Sequence, residues 1–238
     1  MELLKDIEIK TNNYTKKIKS SNYIQTYEVK DKKVIVDNMY RYFKSIDELM
    51  ISINEPDYYF DENKELYFNK IKIDIASKLD ENKKELYDKF NYSKFFDISL
   101  IQTGLQQINK LSTLIYLSNY YDTNIYIKHS DAYYNYLDKN TKNIYVICDS
   151  NGWKISEKDF DLEKIDVLPM DKFIKTSFID NNLKKGKPVY NLFLESFSKY
   201  KIGDLIDIAT KNNISLVDKN GKKKIKKQLY DDINYKYL

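Results

Sequence analysis

The spacing of apolar positions changes several times along the chain, and each change predicts an element. Residues 1–22 are polar, with Thr, Asn and Lys prominent, and predict an N-terminal arm. Residues 23–29 alternate weakly and residues 33–36 are β-branched, which predicts a hairpin through Lys30, Asp31 and Lys32. Ser45-Ile46-Asp47-Glu48 has the form of a helix start, with Ser as N-cap and Glu at the third helical position. Asn54-Glu55-Pro56-Asp57 ends that helix, because the residue before a proline avoids the helical region. Residues 61–87 form a charge-laced helical stretch with Leu66, Ile71, Ile75 and Leu79 on one stripe. Phe90, Tyr92, Phe95 and Phe96 predict an aromatic cluster.

The middle of the chain is less polar. Residues 100–121 carry Leu105, Ile108, Leu111, Ile115 and Leu117 with few charges and predict one buried central helix. Asp122-Thr123 turns into a strand at Asn124-Ile125-Tyr126-Ile127. A second strand follows at residues 143–148, and Ser150-Asn151-Gly152 turns into a third that opens at Trp153. A long helix followed by a strand and a hairpin predicts an α+β body with a small, mainly antiparallel sheet. The predicted division is an arm over residues 1–22, the α+β body over 23–190, and a C-terminal module over 199–238. Pro169 and residues 184–188 bracket a polar connection between body and module, in which Leu192, Leu194 and Phe197 predict a short helix.

The module itself has a helix–turn–helix pattern. Ile202, Leu205, Ile208 and Ala209 follow helical spacing, and Asn212-Asn213 offers a helix stop, because Asn tolerates the left-handed conformation at a C-cap. Ile214 and Leu216 return to the apolar layer, and Asn220-Gly221 is a turn signal. Ile225, Leu229 and Ile233 mark a second amphipathic helix. Ile202, Leu205, Ala209, Ile214, Leu229 and Ile233 are the predicted core. Lys222, Lys223, Lys224, Lys226 and Lys227 crowd the start of the second helix, where the helix dipole disfavours cations. An anionic partner accounts for that placement, since backbone N–H groups and lysines together make a phosphate site. Residues 199–238 hold ten Lys and five Asp, a net of +5, whereas the whole chain is +4. The basic character is therefore local, as an electrostatic footprint requires.

The pattern Ile202-x-x-Leu205-x-x-x-Ala209-x-x-x-Asn213-Ile214, then Gly221-Lys222-Lys223-Lys224-x-x-Lys227-x-Leu229 and Ile233, resembles a SAP domain. SAP domains are small helix–extended turn–helix DNA-binding modules. The resemblance covers about a sixth of the chain. It implies that Lys201, Lys222, Lys223, Lys224, Lys226 and Lys227 form a DNA-facing surface that contacts phosphates largely without regard to sequence.

Composition narrows the remaining choices. Hydrophobic residues make up 42% of the chain, enough for a packed core. No apolar run of about 18 residues predicts a membrane helix, and the first residues do not read as a secretory signal. A single cysteine excludes an intramolecular disulfide and fits a reducing, intracellular setting. The chain has 23 Tyr and many Lys, Asn and Ile, but one arginine, Arg41. These residues share A/T-rich codons, so lysine and tyrosine counts alone carry little functional weight. With the SAP-like tail, this composition resembles proteins of large nucleocytoplasmic DNA viruses, the giant viruses of amoebae and algae.

Other constellations carry weaker signals. His129 and Cys148 invite a papain-like hydrolase reading, but Cys148 ends an apolar strand and not a helix N-terminus, where thiolates are stabilised. No catalytic residue is assigned. Asp159, Asp161 and Glu163 lack the glycine of a calcium loop, so no metal and no cofactor is expected. Tyr58, Tyr59 and Phe60, or Tyr133, Tyr134 and Tyr136, have the chemistry to stack on nucleobases, although most tyrosines in such a chain are filler. The expectation is a non-enzymatic DNA-binding protein of a virion or viral factory, whose body contacts protein partners. The alternatives are an enzyme of hydrolase or nuclease type tethered to DNA by its tail, and a structural virion assembly protein whose tail binds an acidic partner.

Overall fold

The computed structural model describes residues 41–237 except residue 82 and residues 137–138, 176–177 and 184–186. The expected arm (1–22) and hairpin (23–36) lie outside the described residues. In chain order the α-helices are α1 (Ile46–Asn54), α2 (Lys64–Glu81), α3 (Lys83–Phe90), α4 (Ile98–Leu105), α5 (Leu111–Tyr120), α6 (Met170–Ile174), α7 (Ile202–Lys211) and α8 (Lys226–Lys236). The strands are β1 (Thr123–His129), β2 (Ala132–Asn135), β3 (Lys142–Asp149), β4 (Gly152–Ile155) and β5 (Val167–Pro169). The fold is α+β, as expected. It forms two compact units, one from the described residues up to Lys83 with Ile98–Leu183, the other from Lys84–Asp97 with Lys184–Leu238. The C-terminal unit thus takes in a segment from the middle of the chain that has no counterpart in the 199–238 boundary.

In the first unit, α1 begins as its cap predicts, with Ser45 Oγ accepting the Glu48 N–H at 3.1 Å. It ends at Asn54, and Pro56–Tyr59 continue as a 3-10 turn. α2 buries Ile75 and Leu79, but Leu66 is 65% exposed, so the apolar stripe is shorter than the sequence suggests. The single central helix expected over 100–121 is two helices. Asn109 adopts φ 52° between α4 and α5. Its N–H donates to Asp47 Oδ2 at 3.2 Å, and its own Oδ1 accepts the Ile46 N–H at 3.0 Å. These bonds to the start of α1 hold the chain in a left-handed turn that an uninterrupted helix forbids. Ile108, expected inside, is exposed as a result. A Cβ at Gly104 would stand 2.4 Å from Ser112 Oγ, so α4 lies very close to the start of α5.

The sheet runs in the order β4-β3-β1-β2-β5. Its β1–β2 and β3–β4 pairs are antiparallel, and its β1–β3 and β2–β5 pairs are parallel. The sheet is therefore evenly mixed, where the sequence suggested mainly antiparallel pairing. β3 alternates between half-exposed and buried positions, with Ile144, Val146 and Cys148 turned to the core. Ile125, Ile127, Trp153 and Ile155 share that face by register, and Phe173 of α6 packs against Trp153 and Tyr134. Gly152 closes the β3–β4 hairpin at φ +121°, and a Cβ there would meet the Phe43 carbonyl at 2.4 Å.

In the second unit, Phe90, Tyr92 and Phe96 are buried as the expected aromatic cluster, together with Val189 and Tyr190. The Ser93 N–H donates to the Val189 carbonyl at 2.8 Å, and the Asn191 N–H to that of Asn91 at 2.9 Å. A separate small core joins Leu194, Leu205, Ala209, Leu229, Tyr230 and Ile233, with Tyr200, Ile208 and Ile214 at its margin. Of the predicted core, Ile202 lies outside, 48% exposed at the first residue of α7. Leu194 and Tyr230 take places that the helical spacing did not assign. The helix expected around residues 192–197 is an irregular strap ending in one 3-10 turn, Phe197–Lys199.

Candidate nucleic-acid interface

The lysine-rich end is built on α7, a turn and α8. α7 stops at a Schellman motif, in which the Ile214 N–H donates to the Ala209 carbonyl at 2.8 Å and the Asn213 N–H to that of Thr210 at 3.1 Å. Asn213 takes φ 54° there, the role its position before Ile214 predicts. The chain then forms a short hairpin-like turn with a Val217–Lys223 bridge. Asp218 holds the turn, since its Oδ1 accepts the N–H groups of Asn220 and Lys222, both at 2.9 Å. Gly221 supplies the left-handed residue, φ +73°. α8 opens after Ile225, whose N–H donates to Gln228 Oε1 at 2.9 Å.

The six candidate lysines occupy different environments. Lys201 precedes α7 and is exposed, its N–H donating to Asp204 Oδ2 at 2.6 Å. Lys222 and Lys223 are exposed on the turn, before α8 and not within it, with no acidic partner among the described residues. Lys224 is different. Its ammonium lies 2.8 Å from Asp232 Oδ2 and 2.9 Å from the Ser215 carbonyl, and its side chain is largely covered. It fastens the turn to α8. Lys226 stands 4.2 Å over the Phe197 ring. Lys227 pairs with Asp231 at 2.7 Å in an exposed i,i+4 bridge. The first turn of α8 holds no acidic residue, so its positive dipole end and these lysines add in sign.

Charge follows the division into units. Residues 84–97 and 184–238 contain 16 Lys and 9 Asp or Glu, a net of +7, against +4 for the whole chain. The rest of the chain therefore sums to −3.

The other candidate constellations occupy core or surface settings without a common site, and Phe60 is 43% exposed. His129 and Cys148 are register partners, brought together by parallel β1–β3 pairing and not by a hairpin. His129 Nδ1 lies 3.0 Å from the Cys148 carbonyl oxygen. The thiol is buried in the core, and burial, reinforced by the nearby Asp149 charge, pushes it up to about 12. That environment opposes a thiolate. Asp161 bridges Lys164 at 2.6 Å on the surface, and no group of three possible metal ligands occurs among the described residues. Tyr58, Tyr59 and Tyr134 are buried, and Tyr133 packs edge-on against Phe160 at 5.0 Å. No described helix is long and apolar enough to cross a membrane.

Two further aromatic residues flank α8: Phe197, expected only as part of a short helix, and Phe193, to which the sequence assigned no role. Phe197 lies under Lys226, and Phe193, four residues earlier, stacks on Tyr237 with ring centres 4.1 Å apart. Their spacing in the sequence was the available signal. No protein-family model matches the chain, and no curated protein or solved structure matches it either.

Proposed function

We propose that the protein binds nucleic acid through its C-terminal unit, with phosphates held by Lys222, Lys223 and Lys226 and with Lys201 and Lys227 at the margin. The observation that carries this reading is the pair Lys222–Lys223. It sits exposed on a turn rigidified by Asp218, directly ahead of the acid-free first turn of α8. Cations without acidic partners beside a helix start repel one another unless an anion joins them. The ionic form of the interaction makes it largely independent of base sequence. DNA is the partner that the SAP resemblance suggests. The A/T-rich composition extends the proposal to a viral protein acting in a viral factory or packaged in the virion.

The test is a salt titration followed by fluorescence anisotropy with labelled DNA. Three phosphates neutralised give a slope of about −2.7 in log affinity against log salt, at about −0.9 each. The double substitution Lys222→Gln, Lys223→Gln keeps long polar side chains on the turn, removes two charges and flattens the slope by about 1.8. An unchanged slope in a folded double variant rules out this site.

A further inference from the structure

The strap at residues 193–197 runs antiparallel to α8. Phe193 meets Tyr237 at the C-terminal end of the helix, the Leu194 N–H donates to Asn234 Oδ1 at 2.7 Å, and the Tyr230 hydroxyl donates to the Glu195 carbonyl at 2.8 Å. Phe197 reaches Lys226 and Lys227 at the N-terminal end, with ammonium groups 4.2 and 5.9 Å from its ring centre. The side chains divide sharply. Leu194 is 6% exposed and belongs to the core, whereas Phe193 and Phe197 are 53% and 38% exposed. A strap that serves packing alone has no need of two large rings on its solvent side, and exposed apolar groups beside charges mark contact surfaces.

The rings are also held in place. Tyr237 stacks on Phe193 at an interplanar angle of 21° while its hydroxyl hydrogen-bonds Asn212 Oδ1, and the Lys236 ammonium donates to the Asn212 carbonyl. Phe197 rests edge-on against Tyr230, ring centres 5.3 Å apart. Lys226 has no carboxylate partner among the described residues and lies over the Phe197 face, a contact easily exchanged. Glu195, the acid between the two rings, is paired with Lys199.

We propose that the strap and α8 form a site for single-stranded nucleic acid, with one base stacked on the Phe193–Tyr237 pair, another on Phe197, and Lys226 and Lys227 turned to phosphates. The inference rests on the phosphate-binding reading above and adds the strand form. Duplex DNA keeps its base faces inside its own stack, so protruding rings gain nothing from it. A single strand presents every base face, and aromatic stacking accepts any base. Four residues of extended strap separate the Cα atoms that carry the rings by at most roughly 14 Å. At about 3.4 Å per stacked base along one strand, that distance corresponds to about four base steps.

The experiment uses the full chain and fluorescein-labelled dT10, rU10 and a ten-base-pair duplex, read by anisotropy at low salt. The expected result is tighter binding of dT10 or rU10 than of the duplex, and the two strands separate DNA from RNA as the source. Phe193→Leu with Phe197→Leu is expected to weaken single-strand binding by about tenfold to a hundredfold while leaving duplex binding unchanged. Phe193→Tyr with Phe197→Tyr retains both rings, and with them single-strand affinity, which separates stacking from folding. Lys222→Gln with Lys223→Gln weakens all three probes. Full single-strand affinity in the folded leucine variant, with loss in the lysine variant, overturns the stacking site and leaves the phosphate reading standing. No binding of any probe by the wild type overturns both. Polyglutamate bound as tightly as dT10 overturns the nucleic-acid assignment in favour of an acidic protein partner.

Discussion

Replacement of Asp47 by Asn should remove most of the pH dependence of stability between pH 5 and pH 7.5. Asp47 is the second residue of α1, and its side chain is fully buried. Burial raises its carboxyl from the ordinary 3.8 to about 7, against the opposing charge of Lys72 and the Asn109 N–H bond. A carboxyl raised on folding is held protonated in the native state. Its contribution to stability is complete at low pH and is lost as pH rises from the unfolded value through about 7. Between pH 5 and pH 7.5 that loss is about 2.5 kcal/mol, from linkage at 1.36 kcal/mol per unit. Lys72 is itself lowered by burial, and Asp149 is held low first by its Tyr42 hydrogen bond. Lys139, pushed down to about 8 by burial, acts in the opposite sense and chiefly above pH 7.5. The carboxamide of the Asp47→Asn variant keeps an acceptor oxygen for the Asn109 N–H and cannot ionise. The wild type should therefore unfold in urea at lower concentration at pH 7.5 than at pH 5, followed by circular dichroism. Asp47→Asn should match it at pH 5 and exceed it at pH 7.5. A flat wild-type profile, or an equal slope in the variant, refutes the reasoning.

Leu229→Ala should destabilise the C-terminal unit by about 2–5 kcal/mol, because Leu229 is buried in the small core and its loss leaves a cavity; hydrogen exchange in α7 and α8 reads this directly. Lys224→Gln should lower stability in urea, since it strips Asp232 of its cation, while Lys222→Gln should leave stability within about 0.5 kcal/mol. Cys148 should resist iodoacetamide at pH 8 in the native protein and react fully in urea, as burial and a thiol pushed up to about 12 require. Rapid native labelling contradicts the buried placement.

Much of the local structure was legible, and the failures share a physical cause. The α1 start, the strand at residues 143–148 and the stop at Asn213 depend on neighbours within a few residues, so cap and period rules reached them. The break between α4 and α5 depends on Asn109 bonding to Asp47 and Ile46, more than sixty positions earlier. No local pattern contains that information. The parallel β1–β3 pairing is similarly non-local, because β2 folds back on one side of β1 and β3 then joins the other. In the C-terminal unit the helical spacing placed Leu205, Ala209, Leu229 and Ile233 correctly. It missed Leu194, which enters that core from a segment with no helical period. It also kept Ile202, whose position at the first residue of α7 turns it outward.

The lysine run shows why a count of charges is a poor guide to a binding surface. Five lysines within six residues looked equivalent, yet their acidic neighbours on α8 divide them. Asp232 and the Ser215 carbonyl hold Lys224 in a largely covered setting, and removal of either partner leaves a poorly solvated charge. Asp231 holds Lys227 only by an exposed i,i+4 bridge, worth about 0.3–0.5 kcal/mol, which a phosphate readily replaces. Lys222 and Lys223 give up no such bridge. Under the proposed function, affinity for an anion would therefore concentrate on the turn and on the first residue of α8, beside Phe197. A footprint as narrow as the one proposed would suit a flexible strand that bends to a few cations and two rings better than a rigid duplex, whose evenly spaced phosphates reward a longer row of positive charge.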